Sequence, residues 1–144
     1  MSIITFHIGI FIFYKLILYK KIRSQGGFIM ETFKNLVDGS MIQYGDEVVP
    51  KIPVFAGSDI TSEVYYFKPN QILKKHRHPS GEQIFFILKG EGRILVGENS
   101  FDIQPGSSIF VPSGQWHEII NGTVSDMVAV QVTKVGAGFE AHNG

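Results

Sequence analysis

The chain has 144 residues, which suits one domain with a single buried core. Its 13 basic and 13 acidic residues balance to a net charge of zero, so it lacks the basic excess that nucleic-acid binding requires. The absence of cysteine excludes disulfides and thiolate metal sites, and leaves histidine nitrogen and side-chain oxygen as the expected metal donors.

The first 29 residues differ in composition from the rest of the chain. Residues 3–18 are almost wholly apolar, and basic residues follow at positions 20, 21 and 23. The stretch is slightly short for a membrane helix, which needs about 20 apolar residues. Its positive charges lie on the wrong side for a secretory signal, whereas an uncleaved anchor would keep them in the cytoplasm.

We expect instead that the native protein starts at Met30. Gln25-Gly26-Gly27 can be encoded by a purine-rich ribosome-binding sequence at a suitable distance upstream. On this hypothesis residues 30–144 form one bacterial, cytoplasmic domain without membrane attachment. A peptide from residues 2–23 in the mass spectrum of the native protein would contradict it.

Residues 30–144 read as short strands separated by turns. Gly-, Pro- and Asn-containing separators recur between apolar runs, and no ten-residue amphipathic helix pattern occurs. The segment 48–55 contains two prolines, so it is predicted as an edge strand or an extended arm. The other predicted strands are 62–68, 73–78, 83–88, 93–96, 100–103, 108–111, 116–120 and 126–133. Strands of this length and spacing indicate a β-sandwich or barrel.

Three of the five histidines fall in two short segments. His76 and His78 are two apart on a predicted strand, so both rings leave the same face as Lys74. His117 lies on a later strand. Three neutral imidazoles with one oxygen donor suit a divalent transition metal that keeps open coordination positions. The alternative for the pair alone is a cluster of exposed basic side chains.

The segments at 70–90 and 106–121 resemble, in order and spacing, the two motifs of the cupin superfamily. Matching positions of the first are Asn70 (where the family has Gly), His76, His78, Glu82 or Gln83, and Gly90; those of the second are Gly106, Pro112, Gly114, His117 and Asn121. The resemblance implies an all-β cupin fold, which is an antiparallel jelly-roll β-barrel or double-stranded β-helix. It also implies metal ligation by His76, His78 and His117.

The fourth ligand is either Gln83 or Glu82. Glu82 would bring negative charge to the cation, but Gln83 fits the spacing back from Gly90 better. If Gln83 points inward, Phe85 and Ile87 do too, and using Glu82 would reverse the face of the strand. We predict Gln83, with Glu82 as the alternative.

Further residues are candidates for the pocket or its walls. Gln131 and Thr133 alternate with valines on the last strand and could line the pocket, although Gln131 cannot act as an acid or base. Uronate-linearising cupins carry an Asp at the corresponding place. Tyr65 or Tyr66 could supply a phenol and Arg93 could bind a carboxylate, with packing and strand-surface roles as the alternatives. Trp116 is predicted as a core anchor, and the Gly-rich tail 135–139 as loosely packed.

The resemblance implies a cupin that binds one divalent metal (Mn, Fe, Ni or Zn). We expect an enzyme that uses this metal as a Lewis acid on a small sugar-acid or carbonyl substrate, in isomerase or lyase chemistry. The alternatives are a metal-dependent dioxygenase and a non-catalytic, small-ligand-binding or sensory cupin. The expected partners are a small molecule and a second copy of the chain, joined in a homodimer through the 48–55 arm.

Overall fold

The computed structural model describes residues 33–122 and 124–143, and the predicted extension at residues 1–29 lies outside them. The described residues form ten strands and no helix, so this part of the chain has no helix that could span a membrane. The strands are β1 (Lys51–Ala56), β2 (Ile60–Phe67), β3 (Ile72–Arg77), β4 (Gln83–Lys89), β5 (Gly92–Val96), β6 (Asn99–Ile103), β7 (Ser108–Val111), β8 (His117–Asn121), β9 (Met127–Lys134) and β10 (Glu140–Ala141). The nine predicted strands correspond to β1–β9, with ends that differ by no more than three residues.

The strands form two five-stranded antiparallel sheets that pack face to face. One sheet has the order β1-β2-β9-β4-β7 and the other has β10-β3-β8-β5-β6. Each sheet mixes strands from both halves of the chain, which is the connectivity of a jelly roll. The predicted all-β jelly-roll barrel is therefore confirmed.

Alternation along the strands divides the first sheet into two apolar faces. Tyr65, Phe67, Phe85 and Ala129 point into the barrel and form one core with the second sheet. The residues between them point outward, and Val64, Tyr66 and Val128 pack there in a second cluster. Continuous apolar sequence in β2 and β9 thus reflects burial on both faces.

The segment before β1 covers part of that outer face. Leu36, Met41 and Tyr44 pack against the second cluster, and the Tyr66 hydroxyl donates a hydrogen bond to the Leu36 carbonyl at 2.9 Å. β1 pairs with β2 of the same chain, so the 48–55 segment serves here as an edge strand.

Two asparagines at motif positions shape the turns at one end of the barrel. Asn70 has φ of +67°, in the described residues the single positive φ outside glycine, and Asn tolerates this region better than other side chains. At the same end, the buried Asn121 donates from Nδ2 to the carbonyls of Lys68 and Ser125, both at 2.9 Å. Asn121 therefore links two turns, which is a structural role.

Candidate metal centre

The three motif histidines lie side by side on the barrel-facing side of the second sheet. His76 is on β3, His78 directly follows this strand, and His117 begins β8. β3 and β8 are neighbours in which His76 pairs with His117. All three side chains are buried, and their ring centroids are 4.2 Å (His76–His117), 5.3 Å (His76–His78) and 5.8 Å (His78–His117) apart.

A bulge in β3 changes the predicted alternation. The register between β3 and β8 shifts between Leu73 and His76, so Leu73 and His76 both face the interior. Lys74 is exposed. The prediction that Lys74 shares a face with the histidines was wrong, because a bulge inserts an extra residue and reverses the faces behind it.

The 112–114 turn joins the two histidine segments. The Gly114 backbone N–H donates to the His78 carbonyl at 2.9 Å, and Ser113 Oγ donates to the Pro79 carbonyl at 2.9 Å. Gly114 has φ of +78°, which favours glycine at this position. The turn thus fixes the start of β8, and with it His117, against the end of β3.

Each imidazole is oriented by a backbone carbonyl. Nδ1 of His76 lies 2.7 Å from the Lys74 carbonyl, Nδ1 of His78 lies 2.5 Å from that of Gly138, and Nδ1 of His117 lies 3.1 Å from that of Gln115. A carbonyl can only accept, so each Nδ1 carries the proton and each Nε2 keeps a lone pair. One ligand nitrogen per ring can be chosen so that all three lie within 4.8 Å of one another.

Burial keeps these rings neutral. It is the largest cause of the lowered pKa of His76, His78 and His117. Together with the two neighbouring imidazoles, it lowers the pKa of His117 to about 4. At neutral pH the site therefore offers neutral imidazoles, the form that binds metal.

Gln83 points into the barrel and Glu82 points away from it. Gln83 begins β4 and is 1% exposed, together with the inward-facing Phe85 and Ile87, whereas Glu82 is exposed. Neither amide atom of Gln83 has a hydrogen-bond partner among the described residues.

The donor set fits a divalent transition metal. Nε2 of His78 and Nε2 of His117 are buried and, among the described residues, have no partner. Unpaired buried polar atoms are costly unless a ligand satisfies them. Imidazole nitrogens that converge from neighbouring strands, held by carbonyls behind them, are the arrangement of a nitrogen-ligated metal centre.

Three of the other predicted pocket residues lie inside the barrel, and the fourth lies on the surface. Tyr65, Gln131 and Thr133 face the barrel interior and are buried. The Tyr65 hydroxyl donates to Gln131 Oε1 at 2.6 Å, and Thr133 Oγ1 donates to the Glu82 carbonyl at 2.9 Å. Arg93 is not brought to the site, because it is exposed on β5 and pairs with Asp102 Oδ1 at 3.1 Å.

Sequence reasoning missed two contributions to the site. Lys51 and Glu63 are close enough to influence the pKa of His78, and Glu63 has the same alternation as Tyr65, which could have indicated its inward direction. The C-terminal tail also contributes, through the Gly138 carbonyl and through Phe139, whose ring lies 5.3 Å from that of His76.

Two expectations about the surroundings of the site were wrong. The tail 135–139 is not loosely packed, because Ala137 is buried, its carbonyl accepts from the Ser80 N–H at 2.9 Å, and the Gly138 carbonyl contacts His78 Nδ1. Trp116 is not a core anchor. It is half-buried and stacks under Arg77, 4.7 Å from the guanidinium carbon to the ring centroid.

Comparison with known proteins identifies the fold independently. The family model described as Cupin domain matches residues 63–133. A Klebsiella pneumoniae protein with a double-stranded beta-helix domain superposes with a TM-score of 0.67 at 21% identity, covering 72% of this chain and 91% of that one. A Thermus thermophilus protein superposes with a TM-score of 0.62 at 31% identity, covering 65% of this chain and 89% of that one.

One relative carries an enzyme's name. Dimethylsulfoniopropionate lyase DddQ of Ruegeria pomeroyi is 36% identical over 64 residues, covering 44% of this chain and 31% of that protein. Its crystal structure superposes with a TM-score of 0.60 at 23% identity, covering 67% of this chain and 54% of that one. The matched segments span 31–39% of the length of the curated relatives. The motif match, the two jelly-roll sheets and these likenesses together show that the chain belongs to the cupin superfamily.

Proposed function

We propose that this cupin binds one divalent transition metal through His76, His78, His117 and Gln83. We further propose that it acts on a small sugar-acid or carbonyl substrate in lyase or isomerase chemistry. The observation that supports this is the set of three buried imidazoles with carbonyl-held Nδ1 atoms and grouped ligand nitrogens. Mn, Fe, Ni and Zn all accept such nitrogen and oxygen donors, so the protein's metal depends on supply as well as affinity.

A bound divalent cation would supply Lewis acidity toward a carbonyl or carboxylate oxygen of the substrate. The chain's own residues set the conditions around it. Neutral His117 and its neighbours need lose no proton to coordinate. A neutral amide at Gln83 adds no negative charge, which favours an anionic ligand. Phe85 and Phe139 place aromatic surface beside the imidazoles, which limits water and strengthens polar interactions.

The likeness to the dimethylsulfoniopropionate lyase supports lyase chemistry in particular. The sequence likeness covers 44% of this chain and less than a third of that protein's length. We therefore propose lyase chemistry for this chain, and we include dimethylsulfoniopropionate as one of the test compounds.

The test loads the full chain separately with Mn²⁺, Fe²⁺, Ni²⁺ and Zn²⁺. Each form is incubated with an unsaturated uronate, a β-diketone and dimethylsulfoniopropionate, and products are followed by NMR. We expect turnover with more than one metal, including redox-inert Zn²⁺. We expect its loss in His117→Ala and its retention in Glu82→Gln, because Glu82 points away from the site.

Two results would contradict this function. Turnover confined to the iron form and coupled to oxygen uptake would indicate a dioxygenase. Saturable binding of these compounds without any product would indicate a ligand-binding or sensory cupin.

A further inference from the structure

A row of polar side chains crosses the sheet opposite the histidines. In the strand register Gln83 pairs with Thr133, Gln131 with Glu63, and Tyr65 with Lys51. Paired residues share a face of the sheet, and the buried Tyr65 and Gln131 face the barrel interior. The row therefore runs from β4 through β9 and β2 to the edge strand β1, on the barrel-facing side.

The carboxylate of Glu63 is held by Lys51 and lies beside the Tyr65 hydroxyl. Oε1 lies 3.0 Å from Lys51 Nζ, and Oε2 lies 3.3 Å from the Tyr65 hydroxyl oxygen. The Glu63 side chain is only 13% exposed. Tyr65 has one phenolic proton, and the shorter 2.6 Å contact to Gln131 Oε1 takes it. Glu63 Oε2 thus keeps lone-pair capacity for another proton.

Gln131 presents an unused donor beside this carboxylate. Because Gln131 Oε1 accepts from the Tyr65 hydroxyl, Gln131 Nε2 points away from that hydroxyl. Gln131 is 1% exposed, and its Nε2 has no partner among the described residues. A buried amide donor without a partner is unfavourable, so this atom calls for an acceptor oxygen from a bound molecule.

The charges of Glu63 and Lys51 affect the pKa of the nearby imidazoles. Burial is the main cause of the lowered pKa of His76 and His78; the positive charge of Lys51 lowers both further, whereas Glu63 opposes this effect at His78. The acid–base groups of one sheet and the candidate metal ligands of the other thus act on the same interior space.

We propose that Glu63 is the proton acceptor of this site and that Gln131 Nε2 binds a substrate oxygen. This rests on the proposed function and narrows its substrate class to small molecules with an acidic C–H next to a carbonyl or carboxylate. Glu63 takes the proton from carbon. In a lyase step the C–H electron pair forms the new C=C bond, and the leaving group departs with its bonding pair. Tyr65 is a positioning residue that holds Gln131 beside Glu63.

Pyruvate is a suitable probe, because its methyl protons lie next to a carbonyl. The Zn²⁺-loaded full chain is mixed with pyruvate in D₂O, and the methyl signal is followed by NMR. Glu63 would remove a methyl proton as the C–H pair forms C=C and the carbonyl pair moves to oxygen. The protonated carboxyl then exchanges with D₂O and returns deuterium. We expect faster exchange than with free Zn²⁺, and a fall to about one hundredth or less in Glu63→Gln.

Further measurements on three variants separate a role of Glu63 in proton transfer from a structural role. Glu63→Gln should retain bound zinc and the circular dichroism of the wild type, and it should lose the acidic limb of the pH–rate profile. Tyr65→Phe should shift that limb while it retains most of the exchange. Glu82→Gln, which changes an exposed carboxylate, should exchange pyruvate like the wild type.

Wild-type exchange no faster than free Zn²⁺, or unchanged exchange in zinc-loaded Glu63→Gln, would overturn the role of Glu63. The proposed function would survive either result if the loaded wild type still turned over one of the three panel compounds. Failure of the wild type to hold zinc would instead overturn the proposed function itself.

Discussion

At the scale of single residues, the imidazoles depend on backbone rather than side-chain partners. The three Nδ1 contacts go to carbonyls of Lys74, Gln115 and Gly138. Two of these carbonyls are local, two residues before their histidine, and come with the strand geometry. The tautomers are therefore fixed by the fold, and side-chain changes at Lys74 and Gln115 should leave them intact.

Gln83 is the residue on which the fourth ligand depends. We expect Gln83→Ala to weaken zinc affinity by roughly tenfold or more, as losses around a metal site commonly do. Glu82→Ala should leave the affinity unchanged, because this side chain is exposed. Competition of each apo protein with a zinc-chelating dye measures both values. Equal affinities for wild type and Gln83→Ala would remove Gln83 from the ligand set.

His117 predicts acid sensitivity of the metal-free protein. Its folded pKa of about 4 lies below the usual value of 6.5, so the unfolded chain binds more protons between these values. The stability due to the neutral ring is complete above pH 6.5 and is lost as pH falls toward 4. The loss is roughly 3 kcal/mol. Urea unfolding in EDTA at several pH values measures it, and an equally steep loss in His117→Gln would contradict this origin.

At the scale of elements, the short strand β10 supports the site from outside the two motifs. It pairs with β3 beside His76, and its flank supplies the Gly138 carbonyl and the Phe139 ring. Arg77 and Glu140 add an exposed ion pair at 2.6 Å, which contributes little by itself. The tail therefore acts mainly on the orientation of His78.

Removal of residues 137–144 should weaken zinc binding by roughly tenfold to a hundredfold, the range typical for lost supporting contacts. Phe139→Ala should give a smaller loss, because it leaves the carbonyl contact in place. Val124→Ala, in an exposed loop, is the matched control. Isothermal titration with zinc measures each affinity. Wild-type affinity in the truncated chain would show that the tail has no such role.

At the scale of the whole molecule, local sequence predicted the strands and long-range pairing decided the rest. Gly and Pro separators between short apolar runs indicated nine strands. β10 has two residues and no apolar alternation, so only its pairing with β3 defines it. The direction of the Lys74 side chain depends on the bulge in β3. The position of Glu63 near the histidines depends on how β1 and β2 lie across from β3. The motif histidines were recognisable because the spacing within each of the two motifs is local.

An apolar patch on the outer face of the first sheet supports the predicted homodimer. Ile84, Phe86, Leu88 and Phe110 point outward on β4 and β7 and are 38–53% exposed. β4 is apolar on both faces, and a second copy would cover the outer one. The 48–55 segment already pairs within its own chain through β1, so the patch is the better candidate for the dimer contact.

We expect a dimer in light scattering after size exclusion, and a monomer for Phe86→Ser combined with Phe110→Ser. Phe101→Ser, on β6 of the other sheet, should remain dimeric although Phe101 is also half exposed. A monomeric wild type, or a dimer that persists in the double variant, would contradict this surface.

The proposed chemistry requires that His76, His78 and His117 bind a common cation. Elemental analysis of the protein purified without an affinity tag tests it most directly, with His117→Ala as the comparison. We expect about one equivalent of a divalent transition metal per wild-type chain, and less than about a tenth of that in the variant. A wild type without metal that also fails to take up added Zn²⁺, or a His117→Ala protein with full metal content, would contradict it.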